Sequence, residues 1–134
     1  VSCAGIFVNL VLSVVFLALG VGIGVLGQST GDAGGVLPLF QYMCLMGVNL
    51  NLMLAFFNLI PIPPLDGSHV LYHFLPPALG ARYRALSSYG LMILPMLLIF
   101  LPGVFSILLF PAHALSSIAV QLVAPYALRG LPGL

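Results

Sequence analysis

Two acids, three histidines and a run of amides are the residues of this chain that could do chemistry, and Asp66 stands apart among them. It lies between the proline cluster Pro61-Ile62-Pro63-Pro64 and an apolar stretch over 68–75. An ionised carboxylate in such surroundings costs at least ~2.5–3.5 kcal/mol unless it is paired, hydrated or bound to a cation. His69 and His73 follow it, four positions apart, and share a face if 68–75 is helical. The three side chains would present one oxygen and two nitrogens, a set that zinc accepts. The plainer alternative leaves both imidazoles as polar tips near the membrane surface. Asn49, Asn51 and Asn58 sit in the apolar run just upstream. An unpaired amide is costly in hydrocarbon, so the face shared by Asn51 and Asn58 must meet protein, water or a ligand. Gly5, Asn9 and Ser13 are spaced four apart and form a small or polar stripe expected to face the bundle. Asp32 falls in the segment 27–35, which is all turn chemistry and reads as a solvent-exposed loop. Cys3 and Cys44 lack the paired spacing of a zinc site or a disulfide framework and read as buried thiols.

The elements that position these residues must be helices solvated by lipid. Of 134 residues, 62% are hydrophobic and 4% charged, against roughly half apolar and about a quarter charged in a soluble domain. A water-soluble globule is excluded, and a net charge of +1 leaves no footprint for nucleic acid. Fully helical, the chain would reach about 200 Å, roughly six crossings of a 30 Å hydrocarbon layer. Three or four spans with their connections are therefore the ceiling. The expected class is all-α, a polytopic membrane helix bundle forming one transmembrane domain over 1–134.

An uninterrupted apolar run over 3–26 predicts the first span, and 36–60 the second. The second must stop at Pro61, because proline lacks an N–H and disfavours helix in the residue before it. Residues 61–75 then read as a proline-broken, re-entrant segment, tolerated at membrane depth because it lines a site. A third span is expected over 89–101, bent or interrupted near Pro95 and closed by Pro102-Gly103. The stretch 104–124, with Pro111 and His113 inside it, is either a kinked fourth span or a hairpin partly in the interface. Arg82 and Arg84, the one close basic pair, place their side in the cytoplasm by the positive-inside rule. The 27–35 loop then lies outside, and four spans would return Arg129 to the cytoplasm.

The string Asn58-Leu59-Ile60-Pro61-Ile62-Pro63-Pro64-Leu65-Asp66-Gly67 resembles the N-x-x-P-x-x-x-x-D-G signature of the site-2 protease family, the membrane-embedded zinc metallopeptidases. Phe56-Phe57 before it and Ser68-His69-Val70-Leu71 after it resemble the small bacterial members. Ala4-Gly5-Ile6-Phe7-Val8-Asn9 is similar to the family's A-G-P-x-x-N helix start, with Ile6 where proline is usual. Tyr89-Gly90, opening the third span, is similar as well.

The resemblance implies an intramembrane zinc endopeptidase in a bacterial inner membrane, acting on transmembrane protein substrates within the bilayer. Zn2+ would be held by two histidines of an H-E-x-x-H helix and by the aspartate of the D-G motif, here Asp66. Asn58 would hydrogen-bond the substrate backbone or the developing oxyanion. Gly67 would permit the tight turn that aims Asp66, with Pro61, Gly5 and Asn9 in support. The prolines would keep the backbone extended, leaving edges for an unwound substrate.

Besides Ile6, the chain departs from the pattern in its acids: it has no Glu, and His69-Val70-Leu71-Tyr72-His73 has the H-x-x-x-H spacing without the acid. The resemblance places H-E-x-x-H upstream of Val1. The expectation is therefore the C-terminal portion of such a protein, inactive alone, whose missing partners are its own N-terminal helices. A non-catalytic relative acting as an assembly partner, and a transporter fragment with an ion site at the broken helix, are the alternatives.

Overall fold

The computed structural model describes residues 4–31, 35–62, 65–76, 79–80, 83 and 89–128. Cys3, Asp32, Pro63, Pro64, Pro77, Arg82, Arg84 and Arg129 lie outside them. Among the described residues five helices can be bounded: α1 Ala4–Thr30, α2 Leu37–Leu59, α3 Asp66–Phe74, α4 Gly90–Phe100 and α5 Pro102–Val123, the last continued by a 3₁₀ turn, Ala124–Tyr126. Among the described residues there is no strand. Among the described residues three helical stretches are long and apolar enough to cross a membrane: Ala4–Thr30, Leu37–Leu59 and Pro102–Tyr126. The chain is an all-α membrane bundle.

Helix α2 is the hub, packing along α1 on one side and α5 on the other. Its buried residues Gln41, Cys44, Val48, Leu52 and Ala55 recur every three or four positions and so form one face. The buried positions of α1 are small: Ser13, Gly20, Gly24 and Gly27. Small residues let two helix backbones close up, which is how helices associate where lipid removes the hydrophobic drive. A Cβ on Gly47 would stand 2.8 Å from the Phe16 ring, and one on Gly20 3.4 Å from the Cβ of Cys44. Ser13, the end of the predicted polar stripe, is buried with its hydroxyl donated to the Leu10 carbonyl at 2.7 Å.

The direction of each long helix follows from its ends. Phe105, in the first turn of α5, packs with Ile60 and Leu65 and stacks on Phe57, ring centroids 6.3 Å apart. Beyond the other end of α5, the Tyr126 carbonyl meets the Gln41 amide near the start of α2. Thus α5 runs antiparallel to α2 and parallel to α1. One end of the bundle holds the start of α1, the end of α2, α3 and the start of α5; the other holds the α1–α2 connection and residues 124–128.

One expectation changes here, and one pair of alternatives is decided. The third predicted span, 89–101, is helix α4 of 11 residues, with Pro95 inside it; at 1.5 Å per residue it is about 16 Å long, half the hydrocarbon thickness. Leu94 and Leu97 pack against the Ile60, Leu65 and Phe105 cluster. The stretch 104–124 forms no hairpin. It is one helix of 22 residues that contains Pro111, beside the fully buried Ala112. With three long helices, Leu128 lies at the end opposite Asp66, so a fourth crossing that brings the chain back is absent among the described residues.

Candidate functional site

The break after α2 is a sequence of tight turns. Ile60, ahead of Pro61, takes φ −62° and ψ 128°, the extended conformation that a following proline imposes. Its N–H donates to the Phe57 carbonyl at 3.1 Å, that of Ile62 to Ile60 at 2.8 Å, that of Leu65 to Ile62 at 2.9 Å and that of Ser68 to Leu65 at 3.0 Å. Ile60 and Leu65 are extended, their N–H groups and that of Ile62 are donated within the turn, and Pro63 and Pro64 of the expected extended edge lie outside the described residues. Buried or lipid-facing backbone must find partners, and here it finds them locally.

Asp66 opens α3 directly behind this turn, with Leu65 as the extended N-cap residue at ψ 153°. Gly67 is buried against the end of α2: a Cβ there would lie 2.7 Å from the Ile60 carbonyl oxygen and closer still to that of Leu59. Its role differs from the sequence expectation. Gly31, at φ 71°, is the positive-φ glycine of the described chain, and Gly67 is needed for close backbone approach inside a helix. Asp66 itself is half-buried. A Cβ on Gly5 would stand 3.0 Å from its Oδ2, so the first turn of α1 passes against the carboxylate at a point where it carries no side chain. Among the described residues the carboxylate has neither a hydrogen-bond nor an ion-pair partner.

Asn58 is half-buried in the last turn of α2, and Asn9 is half-buried one turn beyond Gly5 on α1. Neither amide has a partner among the described residues. Asn51, by contrast, donates to the Gly47 carbonyl of its own helix at 2.8 Å. His69 and His73 are exposed on α3, and the His73 ring meets Tyr72 edge-on with centroids 6.0 Å apart. Among the described residues no three His, Cys, Asp or Glu side chains form a group able to hold a metal ion. Asp66, His69 and His73 thus share a helix without forming such a group.

Two residues that the sequence did not single out hold the polar framework. Tyr83 donates its phenol to the Pro61 carbonyl at 2.8 Å. The phenol also lies beside the side chain of Ser68, which is 6% exposed. Burial pushes the phenol above its ordinary range, and the neighbouring Ser68 side chain opposes this. At the far end Gln41 is fully buried. Its Nε2 donates to the Gly20 and Tyr126 carbonyls, both at 3.0 Å, and its Oε1 accepts the Leu128 N–H at 3.1 Å. A Cβ on Gly24 would lie 2.6 Å from Gln41 Nε2, and one on Gly27 2.7 Å from the Leu128 methyls. A lone amide at the start of a predicted span was the available signal for Gln41. Tyr83 has none, since its bond to Pro61 spans 22 residues.

With the proline turn and its aspartate placed, the comparison with known families becomes decisive: the family described as Peptidase family M50 matches residues 23–101, a stretch that contains the whole of 58–67. The chain belongs to peptidase family M50, the site-2 proteases. Among curated proteins, the M50 chain is 38% identical over 64 residues to "Putative zinc metalloprotease YwhC" of Bacillus subtilis (strain 168). That match takes in 48% of this chain and 28% of the relative, so the chain spans less than a third of the relative's length. No solved structure matches the chain.

Zinc, which the family name of the relative implies, can be tested against the donors present. A catalytic zinc takes three protein ligands and keeps one position open. The M50 segment offers one carboxylate next to a glycine, with no competing partner and no three-donor group among its described residues. It fits as the source of one ligand and not as a complete site.

Proposed function

We infer that this segment is the aspartate-bearing part of an intramembrane zinc metalloendopeptidase. The observation that carries the reading is the family match across 58–67, together with a half-buried Asp66 that has no partner among the described residues. Asp66 would be the one zinc ligand this segment supplies. The remaining ligands and the carboxylate base would come from an H-E-x-x-H helix elsewhere in the complete protein, so the isolated segment is inactive. Bound zinc would lower the pKa of a water towards ~7 and make it a nucleophile at neutral pH.

The segment's own residues do the positioning. Gly67 seats the first turn of α3 on the end of α2, and Gly5 leaves room for the carboxylate. Asn58, whose amide has no partner among the described residues, is suited to hydrogen-bond the substrate backbone or the oxyanion that develops on the scissile carbonyl. The substrate would be a transmembrane protein unwound locally in the bilayer. The membrane would be a bacterial inner membrane, with the Arg82 and Arg84 side in the cytoplasm.

In the complete protein, Asp66→Ala should abolish proteolysis and lower zinc occupancy, measured by metal analysis of the purified protein. His73→Ala should leave both largely intact. Full zinc loading in the Asp66→Ala protein would overturn the ligand assignment, and a complete protein that holds no zinc would favour a non-catalytic relative.

A further inference from the structure

The proline break creates a backbone problem whose solution points to a residue outside the motif. In a continuing helix the Pro61 carbonyl would accept the N–H of Leu65, but that N–H is donated to Ile62 instead, at 2.9 Å. The Pro61 carbonyl is thereby orphaned at the edge of a lipid-solvated bundle, where an unmet polar group is costly. The Tyr83 phenol fills the vacancy, donating to this oxygen at 2.8 Å. The same phenol lies against the buried Ser68 side chain in the first turn of α3. One side chain therefore ties the turn five residues before Asp66 to the helix two residues after it. The close packing of Gly67 against Leu59 and Ile60 sets how near α3 lies to α2, yet a glycine contact has no side chain with which to fix rotation. A phenol bonded to the turn and seated against Ser68 does.

We propose that Tyr83 is a positioning residue, which pins the proline turn to the first turn of α3 and so fixes the aim of the Asp66 carboxylate. This rests on the reading of Asp66 as a ligand. It adds that the connection after α3 takes part in the site through its phenol, and that the free carbonyl of Pro61 is reserved for the protein itself and withheld from substrate.

The test uses the complete membrane protein and its Tyr83→Phe variant, which keeps the ring and removes the donor, with Tyr89→Phe as control because Tyr89 is 65% exposed. The loss of one hydrogen bond corresponds to about three- to tenfold. Amide hydrogen exchange at Leu65 and Ser68, measured on metal-free protein, should accelerate by about that factor in Tyr83→Phe alone. Turnover should fall by a similar factor with KM changed less than about twofold, because substrate binding is retained while the carboxylate is misaimed. Ser68→Ala should move both readouts in the same direction and less far. Unchanged exchange at Leu65 and Ser68, or a rise in KM at constant kcat, would overturn the positioning role. If Tyr83→Phe speeds exchange while Asp66→Ala keeps its zinc, the ligand assignment fails and the tether stands as structure only. If Asp66→Ala loses zinc while Tyr83→Phe is silent in both readouts, the tether alone fails.

Discussion

The two ends of this bundle treat their polar groups in opposite ways. At the Gln41 end, one fully buried amide donates twice and accepts once, joining α1, the 3₁₀ turn and Leu128. At the Asp66 end, a carboxylate and the amides of Asn9 and Asn58 are half-buried and have no hydrogen-bond partner among the described residues. The backbone around them is satisfied, by the turn hydrogen bonds and by Tyr83. A buried polar group that is fully paired rigidifies a fold. Side chains left unpaired on a well-paired backbone have capacity to spare for something else. The contrast separates an amide that builds the bundle from amides with no partner among the described residues, a distinction that residue type cannot make.

Breaking the Gln41 end should have the largest effect on stability. Gln41→Leu leaves the Tyr126 carbonyl and the Leu128 N–H unmet in an apolar setting, at about 1–3 kcal/mol for each orphaned group. A drop of several degrees or more in the detergent melting temperature checks this, and zinc binding in the complete protein should persist at temperatures where the variant is folded. Gly67→Ala comes next. Its methyl would run into the Leu59 and Ile60 carbonyls, which are backbone and cannot swing aside, so α3 must shift at a cost of about 1–3 kcal/mol. Because the shift moves Asp66, activity should fall further than stability, a split that Gln41→Leu does not share. Asn58→Ala should change stability least, within about 0.5 kcal/mol, since the amide makes no described hydrogen bond. In the complete protein it should lower turnover more than metal content; equal losses of turnover, zinc and stability would place Asn58 with Gln41 as a building amide and erase the contrast.

Much of the fold was legible in the chain. Long uncharged apolar runs predicted α1 and α2 within a few residues, since hydrocarbon thickness dictates span length. The stop at Pro61 follows from the missing N–H and the clash with the preceding residue. The third predicted span failed for a reason visible in retrospect: 13 residues over 89–101 reach about 20 Å as helix, short of the hydrocarbon layer. Pro111 left a kinked span or a hairpin open; the span is what forms, with Ala112 packed among Val48, Leu52 and Ala119. In the candidate site, the string from Asn58 to Gly67 was legible as a local pattern. The role of Gly67 was misjudged, because a glycine needed for a turn and one needed for close approach look alike until a neighbour is placed beside them.

The sequence by itself determined that lipid is the solvent, that the chain is helical, where α2 must end, and that Asp66 is the acid whose surroundings demand an explanation. These are consequences of composition and of proline chemistry, which act within a few residues. Only the tertiary structure decided that α5 crosses in one piece, that Gly5 passes beside Asp66, that Gln41 is a clamp and that Tyr83 reaches back to Pro61. Those contacts join residues 21 to 87 positions apart. The path of the helices sets them, and local pattern carries no trace of it.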